Sequence, residues 1–541
     1  MMKKIRYSEI IEWALFCASV LAVLVFIVWP VAAVLRESII VDGTFSIQLL
    51  ARVVPANSRL FVNSLFSAGA ATLLAVLVAL PVALYERYSR FRFKKLVSPL
   101  LLITMISPPF VSSLAYIVLF GKRGLVTYGL LGLKLDPYGW QGVVLMQALG
   151  EISFAALVLI AALRVMDFRL LQASRDLGAS VNSTIGRVVL PLLIPGIGAA
   201  GFLCLIKSLA DFGTPMVIGG NFSTLATEAY MAVIAKGDLG SSAVLSIMLF
   251  VPAAIALFVY RKTGGRSTQP GIGSAGFPVS ETPLELRGWL GGMCFAITIL
   301  FALVMLAQFI TIVLAALTVY NGSGYEFTGE YFRALSLDRW LCVLRSVWYA
   351  VVAGICASVI GVYLAYYIER RNICCKSALS FAVSLPYIIP GTLFGIGYVL
   401  AFNKAPLDIT GTTFIVIVNC IFRSLTVGEQ TGAAALINVS RDLENAALDL
   451  GASRLRVLVD IVAPLLKNAV AVSFVNTFTA TMMSVGAIIF IISPASKVAT
   501  VELFDLLNSG NYNDAAVLAV ILTLITIVVN IAGLKFLGSK G

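Results

Sequence analysis

Two polar, helix-prone segments stand out in a chain that is otherwise lipid-soluble. One is LLQASRDLGASVNSTIGRVVLP at 170–191 and the other LENAALDLGASRLRVLVDIVAP at 443–464. Both contain Asp-Leu-Gly-Ala-Ser and end in proline, and Gly178 and Pro191 stand 273 residues before Gly451 and Pro464. Leu443, Ala447 and Leu450 recur at i, i+4 and i+7, which makes one apolar helical stripe. Leu170, Ala173 and Leu177 supply a similar stripe in the first copy. Ala446 and Ala447 allow a partner surface to come close. Glu444 and Asp449, and Asp176 in the first copy, flank the stripe with charge that basic groups on a partner would meet. Gly178 and Gly451 fall where a helix C-terminus needs φ > 0, and Pro191 and Pro464 mark the start of the next membrane helix. The chemistry on offer is noncovalent: a small, tightly packing, charged face tied rigidly to a spanning helix. One such segment is most often a plain interfacial helix. Two in equivalent loops at equal register argue for docking to a soluble partner.

A second group consists of charges inside apolar runs. These cost about 2.5–3.5 kcal/mol at mid-helix and are functional candidates by default. They are Lys207, Asp211, Arg423 and Glu429. Lys207 and Asp211 are spaced i,i+4, so they either neutralise each other or line a path. Arg423 aligns with Gly150 in the first half, an asymmetry that suits either one substrate on a pseudo-axis or snorkelling to an interface. Asn419 and the helix breaks at Pro108 and Pro390 are weaker candidates. Histidine is absent, and the eight cysteines follow no zinc spacing, so no metal site and no cofactor bound by this chain is expected. No GxxxxGK[ST] phosphate loop occurs, so the chain is expected not to be an enzyme that hydrolyses ATP.

The elements that must position these residues are membrane helices. The chain of 541 residues is 60% hydrophobic and only 12% charged, with mean hydropathy +0.97, against about 25% charged in a soluble domain. Runs of about 20 apolar residues predict twelve spans: 11–35, 60–84, 96–120, 143–163, 188–210, 241–260, 289–318, 343–368, 378–402, 411–429, 461–492 and 515–537. The eleventh is long enough to hold a break or re-entrant stretch near Pro494. With the N-terminus inside, about 24 basic residues fall in inward loops against about 11 outside, the positive-inside bias. Both termini and both polar segments are then cytoplasmic. The net charge of +12 follows from this bias and implies no nucleic-acid partner.

The Gly/Ser/Pro-rich stretch 261–288 reads as a flexible linker. Matches straddle it: Pro108, Tyr116 and Phe120 with Pro390, Tyr398 and Phe402, each 282 residues apart. The expected organisation is an all-α polytopic membrane protein of two six-span repeats, 1–260 and 289–541. An even span count gives the repeats parallel topology.

The doubled segment resembles the EAA loop (EAA, three residues, Gly, nine residues, I-x-LP) of binding-protein-dependent ABC import permeases. The residues that match are Asn445-Ala446-Ala447, Gly451, Ile461 and Pro464, and Gln172-Ala173-Ser174, Gly178, Val188 and Pro191. Asn445 and Gln172 replace the usual Glu, and Ala463 replaces the usual Leu. A fused twelve-span permease resembles the ferric-iron and thiamine permease group, and ADFGTPMVIGGNFSTLATEAY at 210–230 is similar to its ferric-type members. The resemblance implies a bacterial inner-membrane subunit of a type I importer. It implies two copies of a cytoplasmic ABC ATPase, carrying the ATP and Mg, that each take one EAA helix into a groove. A periplasmic or lipoprotein substrate-binding protein would deliver the cargo. Ferric iron or an iron complex is the leading cargo; an organic phosphate or phosphonate, thiamine or a polyamine remain open. The alternative class is an ion-coupled twelve-span secondary transporter.

Overall fold

In a computed structural model the described residues are 2–538, apart from 42–43, 46, 92, 107–109, 123, 131, 133–135, 263–283, 321–324 and 405–406. The first half runs through α1 (Glu9–Ile39), α2 (Ser58–Tyr88), the pair α3 (Lys94–Ile106) and α4 (Val111–Gly129), and α5 (Trp140–Val165). It continues with the short α6 (Phe168–Asp176), then α7 (Val181–Ala210), the short α8 (Leu225–Ile234) and α9 (Leu239–Lys262). The second half repeats this order as α10 (Gly288–Leu317), α11 (Leu337–Arg370), the pair α12 (Lys376–Ile388) and α13 (Gly391–Phe402), and α14 (Thr413–Leu436). It ends with the short α15 (Arg441–Asp449), the pair α16 (Arg454–Leu465) and α17 (Lys467–Met482), α18 (Ala499–Asn508) and α19 (Tyr512–Gly538). The chain is an all-α polytopic membrane protein. A two-residue or three-residue antiparallel hairpin follows the first span of each half, Ile40–Val41 with Thr44–Phe45 and Thr318–Tyr320 with Tyr325–Phe327.

Among the described residues eight helices are long and apolar enough to span a bilayer, and three bent pairs raise this to 11. The one expected span left over, the tenth at 411–429, is α14, whose polar residues Asn419, Arg423 and Glu429 dilute its hydropathy. Its 24 residues are instead packed against α11, α12 and α17. The bend between α12 and α13 is 112° and falls at Pro390, which cannot donate to a continuing helix; Pro108 lies outside the described residues. The eleventh span differs from expectation. It bends by 68° between α16 and α17 and ends at Met482 rather than 492. Turns, not helix, surround Pro494.

The stretch 261–288 reads from its composition as a flexible linker. Most of it lies outside the described residues, but its end is packed. Leu284 and Leu286 are buried, and the Leu286 N–H donates to Tyr88 O at 3.0 Å.

The first span of each half packs on the last helix of its own repeat and also reaches across to the other. α1 packs along α12, α13 and α14 of the second half. The Tyr398 hydroxyl donates to Phe26 O at 2.8 Å, and a Cβ on Gly397 would stand 2.7 Å from Pro30 O. At the other end Glu12 is buried, bridges to Arg371 and accepts from the Tyr367 hydroxyl at 2.9 Å. Breaking one side of such a buried pair costs about 3–5 kcal/mol. Reciprocally, α10 lies against α2 and α4. Its Cys294, Phe301 and Met305 share a core with Tyr85 and Leu101.

Candidate coupling helices and translocation path

α6 and α15 have the same backbone at the 273-residue offset. Each starts on a side-chain cap: Asp167 Oδ1 accepts from Arg169 N at 2.9 Å, and Ser440 Oγ from Asp442 N at 3.1 Å. Such a cap is worth about 1 kcal/mol. Each ends in a Schellman turn. Gly178 N bonds Arg175 O at 2.9 Å and Ala179 N bonds Ser174 O at 3.1 Å; Gly451 N bonds Leu448 O at 2.9 Å and Ala452 N bonds Ala447 O at 3.0 Å. Both glycines have φ +83°, which L side chains rarely adopt. Ser180 and Ser453 then cap the following helices.

These helices, α7 and α16, start at Val181 and Arg454, so Pro191 and Pro464 sit inside helices already under way rather than at their starts. Each proline follows or ends a widened π turn, Ile185–Val189 and Val457–Val462. Its missing N–H releases the carbonyl four residues earlier, on Arg187 or Asp460.

The expected stripes face outward. Leu177 and Leu450 are 88% and 87% exposed, with Leu170 and Leu443 about half exposed. Gln172, Ala173, Asp176, Asn445, Ala446 and Asp449 are also exposed, and Ala447 is half-buried. Glu444 departs from expectation. It does not flank the outer stripe but is buried at 8% exposure. It accepts from the Tyr366 hydroxyl at 3.2 Å and pairs with Arg370 Nε at 3.4 Å. Arg370 also donates to Leu436 O at the end of α14 and to Val439 O in the connection beyond it. Glu444 therefore ties α15 to α11 and is unavailable to a partner. Leu171, at the same position of the first copy, is buried as a plain hydrophobe.

Of the intramembrane candidates, Lys207 and Asp211 are not a pair. α7 ends at Ala210 and Asp211 is extended, so i,i+4 geometry is lost. Lys207 Nζ bonds Glu151 Oε2 on α5 at 3.2 Å and stands 4.3 Å from the Phe154 ring centre. Asp211 accepts from Thr214 N at 3.1 Å and from Gln147 Nε2 at 3.3 Å. Glu151 is absent from the sequence candidates, although a lone carboxylate inside the span 143–163 carries the same signal as Lys207.

On the second-half side of the seam, Arg423 donates to Ser484 Oγ at 2.9 Å, and its guanidinium would stand 3.0 Å from a Cβ on Gly391. Gly486, beside Gly391, abuts the Phe212 ring next to Asp211. The structure thus brings Lys207, Asp211 and Arg423 toward one seam. Asn419 is fully buried one turn from Arg423, and neither of its amide atoms has a hydrogen bond among the described residues. Glu429 is elsewhere, buried at the crossing of α14 and α11. The seam is shut by rings that no sequence pattern groups. Phe110, Phe212 and Tyr230 of the first half meet Phe490 and Phe504 of the second, with cross-seam centroids 5.2–5.9 Å apart.

A duplicated helical membrane chain with one capped, outward-facing helix per half and polar groups along a closed central seam is a transport subunit. Residues 71–266 and 357–536 both match the binding-protein-dependent transport system inner membrane component family, and the chain belongs to that family as a fused permease with two copies of its domain. It is 30% identical over 513 residues to the ferric transport system permease protein FbpB of Actinobacillus pleuropneumoniae, covering 92% of this chain and 74% of the relative. A putative FbpB 1 of Haemophilus influenzae matches equally well over 80% of its length. The molybdenum transport system permease protein ModB of Mycobacterium tuberculosis is 30% identical over 244 residues, 44% of this chain and 89% of its own length. The chain is an ABC importer permease of the inner membrane.

Proposed function

We propose that α6 and α15 are the coupling helices through which two copies of a cytoplasmic ABC ATPase drive this permease, and that ferric iron or an iron complex is the cargo. The observation that supports this most is the pair of identical Schellman turns, each presenting an exposed leucine stripe at the same offset. ATP-driven closure of the partners moves the two helices together and turns the seam outward, where an extracytoplasmic binding protein hands over cargo. Both termini are cytoplasmic in this reading, and the repeats are 1–260 and 289–541. Lys207, Asp211 and Arg423, with Glu151, line the path. The iron assignment draws on the ferric transport relatives. A phosphonate is the second reading. Arg423 at the seam bonds neutral Ser484, and PhnU of Salmonella paratyphi A, a putative 2-aminoethylphosphonate permease, is 27% identical over 268 residues.

The test is reconstitution of the chain in proteoliposomes with its ATPase and binding protein. Uptake of ferric iron, thiamine, a polyamine and 2-aminoethylphosphonate is compared. ATP-dependent ferric uptake is the expected result. Uptake driven by an ion gradient without the ATPase would refute coupling, and ATP-dependent uptake of another cargo alone would refute iron.

A further inference from the structure

A cavity of about 120 Å³ lies on the inner side of α15, between it, the end of α11 and the start of α16. Its lining is polar and carries three guanidinium groups, Arg370, Arg371 and Arg454, with Tyr366, Asn445 and Glu444. Glu444 is already held by Arg370 and Tyr366, and Arg371 bridges to Glu12. Even with both carboxylates counted, one positive charge is left over. It is Arg454, exposed on the cavity rim. The Nε of Arg371 is buried and has no hydrogen-bond partner among the described residues. A buried guanidinium N–H without an acceptor costs about 1–3 kcal/mol or more. Glu444, Asn445 and Leu448 project from α15 away from the Leu443, Ala447 and Leu450 stripe, because residues on an α-helix advance by 3.6 per turn. The cavity therefore opens beside the leucine stripe and not on it.

We propose that this cavity is a binding site for a phosphate group, bridging Arg454 and Arg371 behind the second of the two matched helices. A tetrahedral oxyanion fits the volume, offers acceptors to planar guanidinium forks and supplies the acceptor that Arg371 Nε lacks. The site belongs to the second half only. At the 273-residue offset Leu171 replaces Glu444 and Val181 replaces Arg454, so the first copy cannot assemble the same set. Because Arg370 and Arg371 end a membrane span, the phosphate comes either from a lipid headgroup or from solution. Occupancy stiffens the link between α15 and α11. Any effect of that stiffening on transport rests on α15 being the coupling helix, whereas the site itself does not.

The probe is inorganic phosphate, added to the full chain in nanodiscs of phosphatidylcholine alone, with thermal unfolding as the readout. A parallel arm uses an equimolar mixture of phosphatidylcholine and phosphatidic acid. Stabilisation by added phosphate in both lipids identifies the soluble source. Stabilisation by phosphatidic acid that abolishes the response to added phosphate identifies the lipid. Arg454→Ala should weaken the response by about tenfold, the loss of one charge-assisted bond, and Arg454→Lys should restore part of it. Arg456→Ala removes the same charge from a residue outside the lining and should leave the response unchanged. Absence of any response in both lipids overturns the site. So does equal loss in Arg454→Ala and Arg456→Ala, which would mean diffuse surface charge. Failure of ATP-coupled uptake does not bear on this binding readout.

Discussion

Gly451→Ala is the smallest change that tests the proposed coupling turn. A Cβ built at Gly451 meets no atom within 4 Å, so the added methyl has room and the cost is entirely backbone. An L residue held at φ +83° pays about 1–2 kcal/mol, a shift of about 5–30-fold in the balance between formed and frayed turn. Fraying breaks the bonds from Gly451 N to Leu448 O and from Ala452 N to Ala447 O, and lets the exposed Leu450 swing off the stripe. Insertion and folding of the helical core should be unchanged, while ATP-coupled uptake falls by up to that factor. A series separates strain from size. Asn tolerates the left-handed region better than Ala, and a β-branched residue tolerates it least. Uptake in proteoliposomes, at matched insertion and with hydrolysis measured alongside, should rank Gly, Asn, Ala, Val. Gly451→Asp shares the tolerance of Asn, so any loss beyond that of Asn reports charge placed on the docking face. Wild-type uptake in Gly451→Val, or Asn as damaging as Val, would refute the argument. Gly178 has the same φ and equally open surroundings, so strain is equal in the two copies. A larger loss at Gly451 than at Gly178 would then measure the partner's grip rather than the turn.

Two further outcomes follow from the charge placements. Glu151→Gln and Lys207→Met should each lower thermal stability, and the double variant should show a coupling of about 1 kcal/mol, kept small because the Lys207 side chain is 45% exposed and screened; strictly additive losses would break the assignment of the pair. Lys497, in the turn before α18, bonds Glu502 and Asp505, each at 2.6 Å. Burial opposes its charge, but the hydrogen bonds to Asp505 and Glu502 outweigh that and hold the ammonium above its ordinary 10.5. A raised cation stabilises the fold fully below its unfolded value and loses that contribution as pH rises through the folded one. Lys497→Met should therefore melt lower than wild type at neutral pH, with the gap closing well above pH 10.5; a gap independent of pH would show that the loss is packing.

What the sequence made legible was whatever repeats or breaks locally. The 273-residue offset located both matched helix-end turns because helix caps and Schellman glycines are set by residues within one turn. Pro390 marked the α12–α13 bend for the same reason. The charged groups were misassigned wherever their partner sits far along the chain. Periodicity shows that α15 has an apolar stripe, but not which flank turns inward. Tyr366, 78 residues away, settles that by drawing Glu444 under the helix. The i,i+4 spacing of Lys207 and Asp211 made pairing one of two readings, but the helix ends at Ala210 and the acceptor of Lys207, Glu151, lies 56 positions earlier.

The reach of the first spans across the two halves is the case where no local rule could help. Internal similarity shows which segments are alike, not which are in contact, and α1 and α10 each resemble a first span while joining their own last helix to helices of the opposite half. One signal was present. Glu12 stands at the head of an apolar run, where an unpaired carboxylate would be costly, so it called for a cation on a neighbouring helix. Arg371 and Tyr367, more than 350 positions away, answer it. A covalent join between halves is then more than a tether for two finished units. Separated at 261–288, each half would carry a first span whose buried partners, Tyr398 and Arg371 for α1 or Tyr85 and Leu101 for α10, belong to the other. The core becomes complete only when both are present.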